Sequence, residues 1–274
     1  MNAAPRLAAR FARARTEKRA ALIIYLTADD PDGETSLRLM RAAIDAGADV
    51  IEIGVPWSDP SADGKAIQGA MHRALARGGG LRRSLLLCRQ LRDAYPDVGL
   101  VLFGYANPIV VMGPDVFALK ARDAGADGVL CVDYPPDADD ALVTALAREG
   151  LDYVPLLAPT STEARIDAAI AAAGSFVYYV SLAGVTGAAL ANLQAPRAQV
   201  DAIRARSAGR VSVAVGFGIK TSAAARAVGD FADAVVVGSA AVEIVEKAAA
   251  AGRDPVPEMT AFVRGLRDAV SHPA

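Results

Sequence analysis

The sequence predicts an α/β fold, a closed (β/α)8 TIM barrel with an extra N-terminal helix, in one domain spanning residues 1–274. Three observations carry that expectation. Eight short apolar segments alternate with helical patterns over about 250 residues, the size such a barrel needs. Most of these segments are continuous apolar runs, as parallel strands buried on both faces must be. A unit also repeats. AIDAGADVIEIGV (43–55) resembles ARDAGADGVLCVD (121–133), each a helix end, a glycine, an Ala-Asp pair and a strand. Weaker copies follow at 145–158, 171–184 and 227–240. Gly47, Gly125, Gly150 and Gly174 fall where a helix stops in a left-handed cap. An open doubly wound sheet is the rival, but it would use fewer strands, and no GxGxxG follows the first one.

In chain order, residues 1–20 are basic and amphipathic and read as a helix covering one end of the barrel. They lack the apolar core of a secretory signal; an organellar transit peptide has a similar composition. Strands are expected at Leu22–Leu26, Val50–Val55, Gly99–Tyr105, Gly128–Asp133, Tyr153–Ala158, Phe176–Leu182, Val211–Phe217 and Ala234–Gly238. Helices fill the intervals, including Glu34–Ala46, Asp115–Ala124, Asp139–Arg148, Glu163–Ala173 and Arg197–Ser207. The longer gap after the second strand holds two helices split at Gly78–Gly80.

Bulk properties narrow the function. The net charge is −2, which offers no electrostatic case for nucleic acid or an anionic membrane. No apolar run approaches the roughly 20 residues of a membrane span. Cys88 and Cys131 form no framework, which points to a reduced, cytoplasmic protein.

In a (β/α)8 barrel the chemistry lies at the C-terminal strand ends. The second strand puts Glu52 between Ile51 and Ile53, where a carboxyl loses water and its pKa rises, suiting it to proton transfer near neutrality. A buried ion pair is the other account, but no basic residue lies inside any predicted strand. The following loop carries Asp63, an ionised partner for Glu52 or the cap of a helix opening in SADGKAIQGAM. Tyr105 and Asn107 could meet a ligand, although Asn107-Pro108 also makes an ordinary turn, and Asp133 reads as a turn residue. The ends of strands six to eight read SLAGVTG (181–187), VGFGIKTS (215–222) and VVVGSAA (235–241). Each brings glycine and a hydroxyl residue to a helix start, a setting for phosphate or simply for tight turns. Phe103, Phe217, Leu157 and Leu102 would make the pocket partly apolar.

His72 and His272 lie away from the strand ends, against a histidine metal site. The five lysines lie outside the strands, against a Schiff-base nucleophile, with Lys220 nearest a strand end. Carboxylate acid–base chemistry on a small phosphorylated molecule remains, with no metal or covalent cofactor.

The stretch IEIGVPWSDPSADG (51–64) resembles the signature of the tryptophan synthase alpha subunits. TADDP, YANP, AGVTG, GFGI and VGSA follow the family's order over nearly the whole chain. The resemblance implies retro-aldol cleavage of indole-3-glycerol phosphate to indole and glyceraldehyde 3-phosphate. It implies Glu52 as the acid–base residue, Asp63 as the carboxylate on the indole N–H, and Tyr178 near the reacting glycerol. Gly187, Gly218, Gly238 and Ser239 match the phosphate cradle, and Tyr25, Tyr105, Leu157 and Phe217 line the indole pocket. The implied partner is the pyridoxal-phosphate beta subunit in an alpha2-beta2 tetramer, facing Pro56 and Asp59, with no cofactor in this chain. Ala183–Gln194 resembles the lid. Asp29, Trp57, Ser61 and Leu182 depart from the family pattern. A stand-alone lyase and a non-catalytic activator of the beta subunit stay open as alternatives, with a phosphate-sugar isomerase more distant.

Overall fold

The computed structural model describes residues 5–135, 140–180, 193–216 and 218–271. Within them, nine parallel strands form one sheet: β1 (Ala21–Thr27), β2 (Val50–Gly54), β3 (Gly99–Gly104), β4 (Gly128–Cys131), β5 (Asp152–Tyr153), β6 (Leu156–Leu157), β7 (Phe176–Val180), β8 (Ser212–Gly216) and β9 (Ala234–Val237). Their spatial order is β5-β4-β3-β2-β1-β9-β8-β7-β6. β5 and β6 are two halves of the single fifth strand expected from the sequence. Pro155 has no N–H to donate, which breaks the ladder there. Val154 N–H still donates to Val129 C=O at 2.9 Å, and Tyr178 N–H to Pro155 C=O at 2.9 Å. These bonds close the sheet into a barrel.

Alternation along the strands sorts side chains into two cores. Ala21, Ile23 and Tyr25 of β1 point inside the barrel, with Val50, Val101, Leu130, Phe176 and Ala234 from its neighbours. Leu22, Ile24 and Leu26 point outward to the helices. Both faces are buried, so the strands read as unbroken apolar runs.

The helices before and between the first strands are α1 (Pro5–Thr16), α2 (Gly33–Asp45), α3 (Lys65–Leu75), α4 (Leu81–Ala94), α5 (Ala106–Met112) and α6 (Pro114–Asp123). Then come α7 (Ala141–Arg148), α8 (Glu163–Ala172), α9 (Gln194–Arg206), α10 (Ser222–Gly229), α11 (Ser239–Ala250) and α12 (Val256–Ser271). α1 lies across the N-terminal strand ends. Its Leu7 and Phe11 are buried in the interior core, with the Phe11 ring 5.1 Å from that of Phe176. As the Gly78–Gly80 run predicts, α3 and α4 are separate helices, with Gly78 and Gly80 at φ 78° and 150°.

The aspartate of the repeated element acts at this same pole, after alanine at 49, 127 and 233 and after leucine at 152. Asp49 accepts from Leu22 N–H at 2.8 Å, Asp127 from Leu100 N–H at 2.8 Å, Asp152 from Ser175 N–H at 2.7 Å and Asp233 from Val213 N–H at 2.8 Å. Each ties its own strand to an adjacent stave, so the repeat in the sequence is a repeated strand-start clamp. Asp29 adopts φ 63°, a conformation that aspartate tolerates better than most residues. Its carboxylate accepts from Arg83 Nη2 at 2.8 Å.

Candidate active site

At the C-terminal mouth of the barrel lies a cavity of about 300 Å³. Glu52 reaches it because β2 alternates: Ile51 and Ile53 face the helices, whereas Val50 faces the interior. In the ladder Glu52 stands between Tyr25 of β1 and Val101 of β3. It is 1% exposed, and neither carboxylate oxygen has a hydrogen-bond partner among the described residues. The alternative of a buried ion pair therefore does not hold. Loss of water, with no compensating charge, pushes this carboxyl up to about 8. It is protonated at neutral pH and close enough to titration to give and retake a proton.

Asp63 lines the same cavity. Its Oδ2 accepts from Tyr105 Oη at 2.7 Å, and that oxygen in turn accepts from Ala62 N–H at 3.1 Å. Gln68 Nε2 donates to the Asp63 carbonyl at 2.8 Å. The loop is thus pinned from β3 and from α3. The helix cap is Gly64, with no side-chain bond, so Asp63 is not serving as a cap. Burial raises its carboxyl, against the lowering effect of the Tyr105 hydroxyl.

Two tyrosines flank Glu52. Burial holds both hydroxyls well above their ordinary range, helped chiefly by Asp63 at Tyr25 and by Glu52 at Tyr178. Each lies over a glycine of the neighbouring strand. A Cβ on Gly54 would sit 2.2 Å from Tyr25 Oη, and one on Gly216 would sit 2.2 Å from Tyr178 Oη. Those two positions admit no side chain while the tyrosines stay in place. The Tyr25 ring also meets Phe103 edge-on at 5.0 Å.

Gly218, Gly238 and Ser239 line the same cavity. Ser239 opens α11, and no side chain caps that helix at Gly238. Its first N–H groups and positive dipole end face the cavity, a setting that suits a phosphate dianion.

The structure brings Glu52, Asp63, Tyr178, Tyr25, Gly218, Gly238 and Ser239 to one cavity and corrects the sequence expectations for five other residues. Leu157 and Leu102 face the helix layer, and Leu156 is the residue that lines the cavity. The apolar run gave the strand but not its phase, and one step in register swaps the faces. Tyr105 stands behind Asp63 as its hydrogen-bond donor and does not line the cavity. Pro56 is buried, leaving it little surface for a partner, whereas Asp59 is exposed and accepts from Ser58 Oγ. Asn107 is exposed in the first turn of α5 and also stays outside the cavity. Asp133 behaves as the turn residue expected, accepting from Ala106 N–H at 2.7 Å. Gly187, Phe217, Leu182 and residues 183–192 of the expected lid lie outside the described residues. Sequence reasoning missed Ile67, Val132, Val180 and Val236 in the lining and the roles of Gly54 and Gly216. A glycine at the C-terminal end of an otherwise apolar strand was the available signal.

Fold and cavity define the class: a (β/α)8 barrel with two carboxyl groups and a helix N-terminus lining one cavity at its mouth. A family model described as tryptophan synthase alpha chain matches residues 11–271. The chain is 48% identical over 260 residues to the tryptophan synthase alpha chain of Burkholderia thailandensis, covering 95% of this chain and 94% of that one. It is 46% identical over 265 residues to that of Ralstonia nicotianae, covering 97% and 98%. The crystal structure of tryptophan synthase subunit alpha from Legionella pneumophila superposes with a TM-score of 0.90 at 36% identity, covering 98% of each chain. A chain in a crystal structure of tryptophan synthase from M. tuberculosis superposes with a TM-score of 0.87 at 33% identity, covering 97% and 99%. This chain belongs to the tryptophan synthase alpha chain family, lyases that carry out the alpha reaction of tryptophan biosynthesis.

Proposed function

We propose that this chain cleaves indole-3-glycerol phosphate to indole and glyceraldehyde 3-phosphate, with Glu52 moving both protons. The observation that carries the reading is the buried, unpartnered Glu52 carboxyl in one cavity with Asp63 and the start of α11. The protonated Glu52 donates to the indole C3, and the ring becomes an electron acceptor. The Asp63 carboxylate accepts the indole N–H and stabilises the positive charge that develops there. Glu52, now ionised, takes the proton of the glycerol hydroxyl next to the breaking bond. The carbon–carbon electron pair returns to the ring, indole leaves, and Glu52 ends as it began. Atoms and charge balance with no other reactant, so the chain needs no cofactor of its own. Tyr178 orients the glycerol as a neutral hydroxyl. Gly218, Gly238, Ser239 and the first turn of α11 hold the phosphate, joined by Gly187, while Tyr25, Phe103 and Leu156 pack the indole, joined by Phe217.

The partner in this reading is a pyridoxal-phosphate beta subunit in an alpha2-beta2 tetramer, within the cytoplasm. Support for a docking face comes from α5, which follows β3 at the mouth and exposes 58% of Val110 and 82% of Val111. Apolar surface of that kind marks association, and Asp59 is exposed on the loop after β2. The test is indole release from indole-3-glycerol phosphate by the purified chain, with and without a beta subunit. Indole formed by the chain alone and accelerated by the partner is the expected result. Saturable substrate binding with no indole in either assay would overturn it.

A further inference from the structure

The described lining of the mouth cavity carries two carboxyl groups, Glu52 and Asp63, and no basic side chain. A phosphate dianion seated at Gly218, Gly238 and Ser239 meets the start of α11, whose dipole supplies only about half a positive charge. Two lysines stand beside this lining. Lys65 follows Gly64 at the start of α3, and Lys220 lies two residues past Gly218. Of the two, only Lys220 is held in an ion pair among the described residues, with Nζ 2.6 Å from Glu243 Oε1.

Both ends of that lysine are placed. Ile219 before it is buried. Thr221 after it caps α10, its Oγ1 accepting from Ala224 N–H at 3.2 Å. The Lys220 backbone is therefore fixed between a core residue and a helix cap. Glu243 fixes the ammonium. It lies four residues after Ser239 on α11, so the two share one helix face, with Cβ atoms about 5–6 Å apart. The ion pair thus spans the β8–α10 loop and the first turns of α11, the elements that bring Gly218 and Ser239 to the cavity. The lysine side chain is 49% exposed and the glutamate 28%, so the pair adds little to stability.

We propose that Lys220 is a substrate-binding residue, an ammonium that Glu243 holds beside the phosphate seat and that the incoming dianion shares. It sets affinity for a phosphorylated substrate and moves no proton in the cleavage. Glu243 then opposes binding, because its charge occupies the lysine and repels the dianion. The inference rests on the reading that phosphate seats at the start of α11.

The test uses the full chain, labelled with 15N, titrated with inorganic phosphate at pH 8 while the amides of Gly218, Gly238 and Ser239 are followed. Steady-state indole release from indole-3-glycerol phosphate is measured on the same proteins. Lys220→Met should weaken phosphate binding about threefold or more and raise KM by a similar factor, with a much smaller change in kcat. Glu243→Gln should act in the opposite sense, tightening phosphate and lowering KM about twofold or more. The opposite signs set this role apart from bracing, since an ion pair that only stiffens the loop would lose affinity when either partner is removed. Lys220→Met binding phosphate as the parent does, or both variants binding it more weakly, would overturn the inference and leave the phosphate seat standing. Amides that stay still in the parent would overturn the seat itself, and the inference with it.

Discussion

Asp127 and Glu52 are each 1% exposed, yet they live under opposite rules. At the N-terminal pole, Asp127 accepts from Arg6 Nη1 and Arg92 Nη2 at 2.7 Å each and from Leu100 N–H at 2.8 Å. At the mouth, Glu52 has no partner among the described residues. The first carboxylate is a strut, held by two guanidiniums and a backbone N–H. The second is kept reactive by leaving it unsatisfied, which costs stability at the pH where it ionises. The barrel thus ties Asp127 down at one pole and leaves Glu52 unpartnered at the other.

The largest expected effect comes from removing the reactive acid. Glu52→Gln keeps the shape but cannot move a proton, and indole formation should fall by about 10²–10⁴-fold. Thermal melting near neutral pH should show no loss of stability in the same variant. Near-normal turnover would break the contrast. Asp127→Ala should do the reverse. It strands Arg92 and the Leu100 N–H in a buried site and should cost about 3–5 kcal/mol in denaturant unfolding. Any enzyme that remains folded should turn over normally.

The pH dependence sharpens the contrast further. With a folded value of about 8 against an ordinary 4.5, native Glu52 keeps a proton that the unfolded chain has released between those two values. The native state binds more protons there, so stability falls as pH rises through that window and levels off above it. Glu52→Gln lacks this slope and should be more stable than the parent above pH 8 by as much as roughly 4 kcal/mol. Parallel stability curves for the two proteins would contradict this.

A smaller effect is expected at Gly216. An added Cβ would meet Tyr178 Oη at 2.2 Å, so Gly216→Ala should cost about 1–3 kcal/mol of stability by overpacking and lower activity by displacing the tyrosine. Smallest is Tyr105→Phe, which removes one hydrogen bond to Asp63 and should lower kcat/KM by about tenfold or less.

Much of this division was legible before any coordinates. Continuous apolar runs and the recurring Gly-Ala-Asp unit located the staves, and an acid inside an apolar strand marked Glu52. The sequence did not reveal phase within a short doubly buried strand, and so Leu157 stood in for Leu156. A continuous run carries no alternation from which to choose a face. Nor did it reveal that Tyr105 serves Asp63, because that bond joins residues 42 positions apart. The clamp role of Asp49, Asp127, Asp152 and Asp233 was visible only as repetition. Its reason lies in adjacent strand starts that the linear order keeps apart.

The most direct test is site-specific titration of the Glu52 side-chain carboxyl by 13C NMR in the ligand-free protein. A midpoint near 8 is expected, well above the ordinary 4.5. A midpoint in the ordinary carboxylate range would mean that the group is solvated or paired, and the contrast between the two poles would not stand.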